Sequence, residues 1–169
     1  MVNMRPFTAF EQKNLKFLVN HNVKFTQVEI TPTGLGKGIL DSTAPMRAYF
    51  LENGIHNYEE QLQGQEHKQI KAACILTDTT QFFTKVSFYR PNTKKGDPRM
   101  WVYGFGSYTE GNDIHVLFWH EKTLYSINIT HIDIEKCYNS AIITPMQEVL
   151  KAINQEGNSV SEELLGRFR

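Results

Sequence analysis

The sequence predicts an α+β protein, mainly β with flanking helices, in which six or seven strands form an open, mixed and mostly antiparallel barrel. Three observations predict it. From Gln69 to Ile129 strand-like segments follow one another with no helical pattern between them, which excludes the alternating order of a parallel βαβ sheet. Helical patterns stand instead at the two ends, with one more inserted after the first strand. The chain has 169 residues, 40% of them hydrophobic and 21% charged, which is the size and composition of one globular domain.

Taken in order, Thr8-Ala-Phe-Glu11 is a capping box. It opens a helix bearing Phe10, Leu15, Phe17 and Leu18 that ends near Asn20-His-Asn22. Val23 to Ile30 alternates apolar and polar residues, as a half-buried strand does. Thr31-Pro-Thr-Gly34-Leu-Gly36-Lys37-Gly38 reads as a glycine-rich loop. Asp41-Ser-Thr43 then caps a helix with Pro45 in its first turn and Met46, Tyr49 and Phe50 on its buried side, ended by Asn53-Gly54. Asn57 to Lys68 is polar and reads as a loop. Gln69–Leu76, Phe82–Tyr89 and Met100–Phe105 read as strands. Asp113–Trp119 and Thr123–Ile129 form a hairpin around His120-Glu-Lys122. Thr144-Pro-Met-Gln147 opens a helix to about Asn154, with Val149, Leu150 and Ile153 inward. Residues 1–156 make one domain, and 157–169 a charged helical tail or linker.

Function is best argued from Arg90-Pro-Asn-Thr-Lys-Lys-Gly-Asp-Pro-Arg99, which is too long for a tight hairpin and rich in turn formers. Connections of this length are commonly functional. Lys85, Arg90, Lys94, Lys95 and Arg99 stand against a single carboxylate, Asp97. Phosphate is the natural partner of so many cations, and Asn92, Asp97 and Arg99 carry groups that read base edges. Asp97 has two readings: it caps the turn or pairs with Arg99, or it accepts a hydrogen bond from cytosine N4. The plainer reading of the whole stretch is a solvated tip kept basic for solubility. Overall, 18 basic residues balance 18 acidic ones, so attraction to nucleic acid must come from segregated charge.

Other chemistries find less support. The spacing of Gly34, Gly36 and Lys37 is not that of a nucleotide-binding P-loop, and no Ser or Thr follows Lys37. A flexible arm whose glycines let the backbone approach a phosphate fits better. Asp133-Ile-Glu135-Lys136 and Glu148-Val-Leu-Lys151 miss the carboxylate–lysine spacing of metal nucleases. The six histidines lack metal-site spacing and read as surface or turn residues, and no Gly-x-Ser-x-Gly elbow occurs. Cys74 and Cys137, in apolar surroundings, read as buried reduced thiols of a cytosolic protein. No membrane-spanning run or signal peptide is expected. Trp101, Tyr103, Phe105, Phe88 and Tyr89 read first as core aromatics of the flanking strands, with stacking on single-stranded bases as the other option.

The order of strand, Thr33-Gly34 arm, short helix, strand pair, basic arm and hairpin resembles the effector domain of EcoRII-type (type IIE) restriction endonucleases. That domain is a DNA-binding pseudobarrel related to the plant transcription-factor fold called B-three. The resemblance implies an open seven-stranded pseudobarrel whose two arms grip the major groove. Thr31 to Asp41 would be the N-terminal arm, with Thr33-Gly34 matching the family's Thr-Gly pair and Lys37 near the polar tip. Arg90 to Trp101 would be the C-terminal arm, where Thr93, Lys94, Lys95, Asp97 and Arg99 stand in the family's pattern. Pro98 replaces a basic residue of that pattern, and one extra residue lies near Gly96.

What the resemblance implies is a sequence-specific binder of double-stranded DNA at a CC(A/T)GG-type site. It would have no catalytic residues and no cofactor of its own, with Mg²⁺ needed only by a linked nuclease domain. The bacterial cytoplasm and a monomeric state are implied with it. A metal-dependent nuclease and an RNA- or single-strand-binding module are the alternatives.

Overall fold

The structure, a computed structural model, describes residues 4–166, with the side chains of Lys94 and of residues 156–166 outside that description. Its centre is one seven-stranded sheet in the order β1-β6-β7-β3-β4-β5-β2, curled into a nearly closed barrel. The strands are β1 (Thr26–Ile30), β2 (Leu40–Asp41), β3 (Gln69–Leu76), β4 (Gln81–Tyr89), β5 (Arg99–Val102), β6 (Asp113–His120) and β7 (Thr123–Asn128). Only the β3–β7 pair is parallel, so the sheet is mixed and mostly antiparallel, as expected. Among the described residues six α-helices accompany it: α1 (Ala9–Asn20), α2 (Pro32–Lys37), α3 (Ala44–Glu52), α4 (Phe105–Tyr108), α5 (Ile134–Tyr138) and α6 (Pro145–Gly166).

Alternation along the strands builds two cores, one on each face of the sheet. Inside the barrel, Val28, Ile30, Leu40, Ala73, Ile75, Val86, Phe88, Met100, Val102, Leu117 and Leu124 pack around Met46, Tyr49 and Phe50 of α3. Tyr49 also ties α3 to two strands' ends, donating to the carbonyl of Lys24 and accepting from the N–H of Trp119. On the outer face, Cys74, Leu76, Ile114, Val116, Phe118, Tyr125 and Ile127 are covered by Phe17 and Leu18 of α1, Ile134 and Cys137 of α5, and Met146 and Leu150 of α6. Both thiols lie buried in this outer core. Among the described residues no helix is long and apolar enough to cross a membrane.

Several boundaries depart from the sequence reading. The Thr31–Gly38 stretch is not a loop but carries helix α2. Thr31 accepts from the N–H of Gly34 at 3.0 Å, Pro32 starts the helix, and Gly38 closes it in the left-handed region with φ 67°. The first strand begins at Thr26 and not Val23, because the Val23 N–H closes the end of α1 on the Leu18 carbonyl. The strand expected over Met100–Phe105 stops at Val102, where Gly104 turns the chain (φ 102°) into α4. Asn57–Lys68 contains two 3₁₀ turns, Tyr58–Glu60 and Gln65–His67. Helix α6 runs past Asn154 to Gly166, across the boundary expected after residue 156. Of the expected tail, residues 167–169 lie outside the described residues.

Candidate nucleic-acid interface

The two arms meet through β2 and β5. These short strands pair antiparallel, with Leu40 opposite Met100 and Asp41 opposite Arg99. Residues some sixty positions apart are thereby neighbours at one sheet edge. Because the pair is antiparallel, α2 leaves the Trp101 end, whereas the turn before β5 leaves the Ser42 end, where the Ser42 N–H donates to the Pro98 carbonyl at 3.0 Å. The two arms therefore leave opposite ends of this short ladder.

In the first arm, Gly34 is a packing requirement: a Cβ there would lie 2.6 Å from the Leu40 side chain and 2.8 Å from the Ile39 carbonyl. Close approach of a phosphate is not what this buried glycine serves. Thr33 and Lys37 are exposed on α2. Gly38 rests against the half-buried ring of Trp101, which meets Phe105 edge-on at 5.2 Å. Trp101 thus seats the end of the first arm on the inner core.

In the second arm, Asn92, Thr93, Lys95 and Asp97 are exposed. The tip is a tight turn in which the Gly96 N–H donates to the Thr93 carbonyl, with Lys95 (φ 58°) and Gly96 (φ 71°) both left-handed. Lys94 lies in this turn, but its side chain is outside the described residues. Arg90 has a structural position. Its Nε donates to the Gly96 carbonyl at 2.9 Å, and Nη1 to the carbonyls of Gln61 (2.9 Å) and Tyr58 (3.3 Å). Arg99 forms an ion pair with Asp41, and its side chain is only 16% exposed against 68% for Asp41. The ion pair considered for Asp97 is thus made by the carboxylate of the other arm.

The scaffold under the second arm went unseen in the sequence. Tyr58 donates to the Arg99 carbonyl at 2.7 Å and shares a 2.6 Å hydrogen bond with Ser42; burial pushes its hydroxyl pKa well up, against the opposing effect of the Ser42 bond. Arg47 donates to the Ser42 carbonyl, and Gln61 donates to the carbonyls of Phe88 and His67. A buried amide and a buried tyrosine in a polar stretch were the available signals.

The remaining candidates resolve as structure. Asp133 caps α5 by accepting from the Lys136 N–H, which lowers its pKa, and Lys13 bridges Asp133 and Glu135. His115 and His120, expected at the surface, are buried. His115 is held between Thr109 and Ser126, and burial pushes its pKa down to about 3. Taken together, the arms from 31 to 41 and 90 to 99 carry five cations against two carboxylates, a local excess within a chain of zero net charge. No protein-family model matches the chain, and no curated protein or solved structure matches it significantly.

Proposed function

We propose that the chain is a sequence-specific double-stranded DNA-binding domain, of the effector kind found in EcoRII-type restriction endonucleases. One observation carries this reading: two turn-rich arms, distant in sequence and cationic in sum, are brought to one sheet edge by the β2–β5 pair and the Asp41–Arg99 ion pair. In this reading Lys37, Lys95 and Lys94 neutralise phosphates, while Arg99, Asn92, Thr93 and Asp97 face base edges. Binding takes no metal, and a nuclease linked to the chain supplies any Mg²⁺ chemistry. A CC(A/T)GG-type site is the starting candidate.

A second reading has its own observation. The outer face of β3, β4 and β5 exposes Phe83, Tyr103 and Ile70 beside Lys85, a surface on which single-stranded bases could stack. Selection of bound sequences from a random duplex pool, with single strands as competitor and no Mg²⁺, decides between the two. The first reading expects one enriched duplex motif that single strands do not displace. It also expects plasmid to survive Mg²⁺ or Mn²⁺ uncut. Single strands winning the competition, or nicking by the purified chain, would replace it.

A further inference from the structure

The β6–β7 hairpin brings the residues just before β6 next to those just after β7, since His115 pairs with Asn128. Three potential ligands meet there. Asp113 is 4% exposed, and its Oδ2 accepts from the Glu110 N–H at 2.8 Å and from Asn128 Nδ2 at 2.9 Å. Its other oxygen, Oδ1, is turned to Nε2 of His131 at 3.0 Å. His131 Nε2 is also 3.9 Å from Glu110 Oε2, and the three ligand atoms all lie within 4.8 Å of one another. Ligands at about 2.1 Å from a tetrahedral metal are about 3.4 Å apart, so small side-chain shifts bring this set to coordination distance.

We propose that Glu110, Asp113 and His131 bind a divalent transition-metal ion. Three features distinguish this cluster from a group of surface acids. It mixes an imidazole with two carboxylates, a donor set that suits Zn²⁺ or Mn²⁺ and not the all-oxygen preference of Mg²⁺ and Ca²⁺. Its central carboxylate is buried and oriented by an outer amide, Asn128, with the second oxygen left for the cluster. The nearest cation, Arg5, donates Nε to the Asn112 carbonyl of the same loop at 3.0 Å, but its other two guanidinium nitrogens are paired with both oxygens of Glu11, outside the cluster. Glu110 and His131 are exposed, giving the ion an entry path and leaving further positions to water.

Such an ion would brace the first arm. Gly111, between two of the ligands, lies so close to Pro32 that a Cβ would be 3.0 Å from its ring, and the Asn112 N–H donates to the Ile30 carbonyl at 2.7 Å. Fixing this loop fixes the wall against which α2 starts. The inference stands whether or not the arms bind DNA.

The test titrates the metal-free full chain with Zn²⁺ by calorimetry, and with Co²⁺ by visible absorption. One equivalent of Zn²⁺ is expected to bind, displacing Co²⁺ and its d–d bands, with Mg²⁺ unable to compete. His131→Ala and Glu110→Gln alter exposed side chains, so the fold survives them. Each is expected to weaken Zn²⁺ binding at least about tenfold. Unchanged Zn²⁺ affinity in both variants would assign binding to surface pairs such as His67 with Glu66 and overturn the proposal. Absence of saturable Zn²⁺ binding, or Mg²⁺ binding as tightly, would overturn it equally.

Discussion

Along β3 the residues pointing out of the barrel change character in mid-strand. Ile70 and Ala72 are exposed, whereas Cys74 and Leu76 are wholly buried under α1, α5 and α6. The same division runs across the sheet. On one side Ile114, Val116, Phe118 and Ile127 are sealed by helices. On the other, register puts Phe83 opposite Cys74, Lys85 opposite Ala72, and Ser87 between Ile70 and Trp101. This second half lies outside the helix-covered outer core, yet keeps exposed apolar residues: Phe83 is 65% exposed and Ile70 49%. One strand chemistry thus serves stability where helices cover it. Where the arms leave the sheet it remains open, and open apolar patches on monomers commonly mark interaction surfaces.

The division is broken most directly by truncating one aromatic from each half. Phe118→Ala should cost about 3–5 kcal/mol, because the ring is buried and stacked on Tyr125 at 5.4 Å. Phe83→Ala should change stability by no more than about 0.5 kcal/mol. Urea unfolding midpoints of the two variants measure the contrast. A similar loss in both would mean that the open half is covered in solution, for instance by a second copy of the chain.

Acid should act on the covered half first. Glu11 is fully buried, caps α1 through the Thr8 N–H, receives Arg5 on both oxygens, and accepts from the Thr130 hydroxyl at 2.6 Å. The Arg5 hydrogen bond is the leading cause that lowers its pKa from 4.5 to about 2, against the opposing effect of burial. A carboxylate with a depressed folded pKa stabilises the fold above its unfolded value and loses that contribution as pH falls. The expected loss lies between about pH 4.5 and 2 and is of order 3 kcal/mol. Glu11→Gln should be less stable than wild type at neutral pH and flatter across that window. Parallel curves would assign acid sensitivity to other carboxylates.

On the open half, Arg99 carries the next effect. Its guanidinium is held by Asp41 and its carbonyl by Tyr58, a pre-set group beside the arms. Under the DNA reading, Arg99→Ala should cost about 1–3 kcal/mol on the preferred duplex and far less on random DNA. Asp41→Asn should lower the same preference by loosening Arg99. Uniform weakening on every duplex would make the pair an arm-positioning device only.

The strands of both halves were legible in the sequence, and the contacts that build the arms were not. β3 was read at its observed limits, and β4, β6 and β7 within a residue, because period-two alternation of β-branched and aromatic residues reports a half-buried strand directly. The capping box at Thr8 was equally local. Helix α2 was missed because Gly34 and Gly36 weigh against a helix, although its cap at Thr31, Pro32 at its start and Gly38 at its end are local signals; Gly111 against Pro32 and Leu35 on the barrel core add support from a distance. Arg90 looked like a phosphate ligand because its carbonyl partners on Tyr58 and Gln61 lie about thirty residues upstream. Glu110, Asp113 and His131 showed no spacing because only the β6–β7 hairpin unites them. Local signals reached elements; contacts made by tertiary pairing did not show.

The smallest effects belong to the arm tips, and they should differ in sign. Lys37 is exposed at the end of α2, and under the DNA reading Lys37→Ala should weaken binding evenly across duplexes and lower the slope of log affinity against log salt by about 0.9. Asp97 is exposed in the other arm, and Arg99 pairs with Asp41 across the strands; under the DNA reading the Asp97 carboxylate stands beside the groove. A carboxylate there repels phosphate, so its removal should leave non-specific affinity unchanged or raised. If Asp97 accepts from cytosine N4, Asp97→Ala should also relax the preference at one C·G pair. Competition binding on duplexes substituted one base pair at a time separates these effects. A fall in non-specific affinity with base preference intact would mean that Asp97 shapes the turn around Gly96, and that the second arm reads sequence through Arg99 alone.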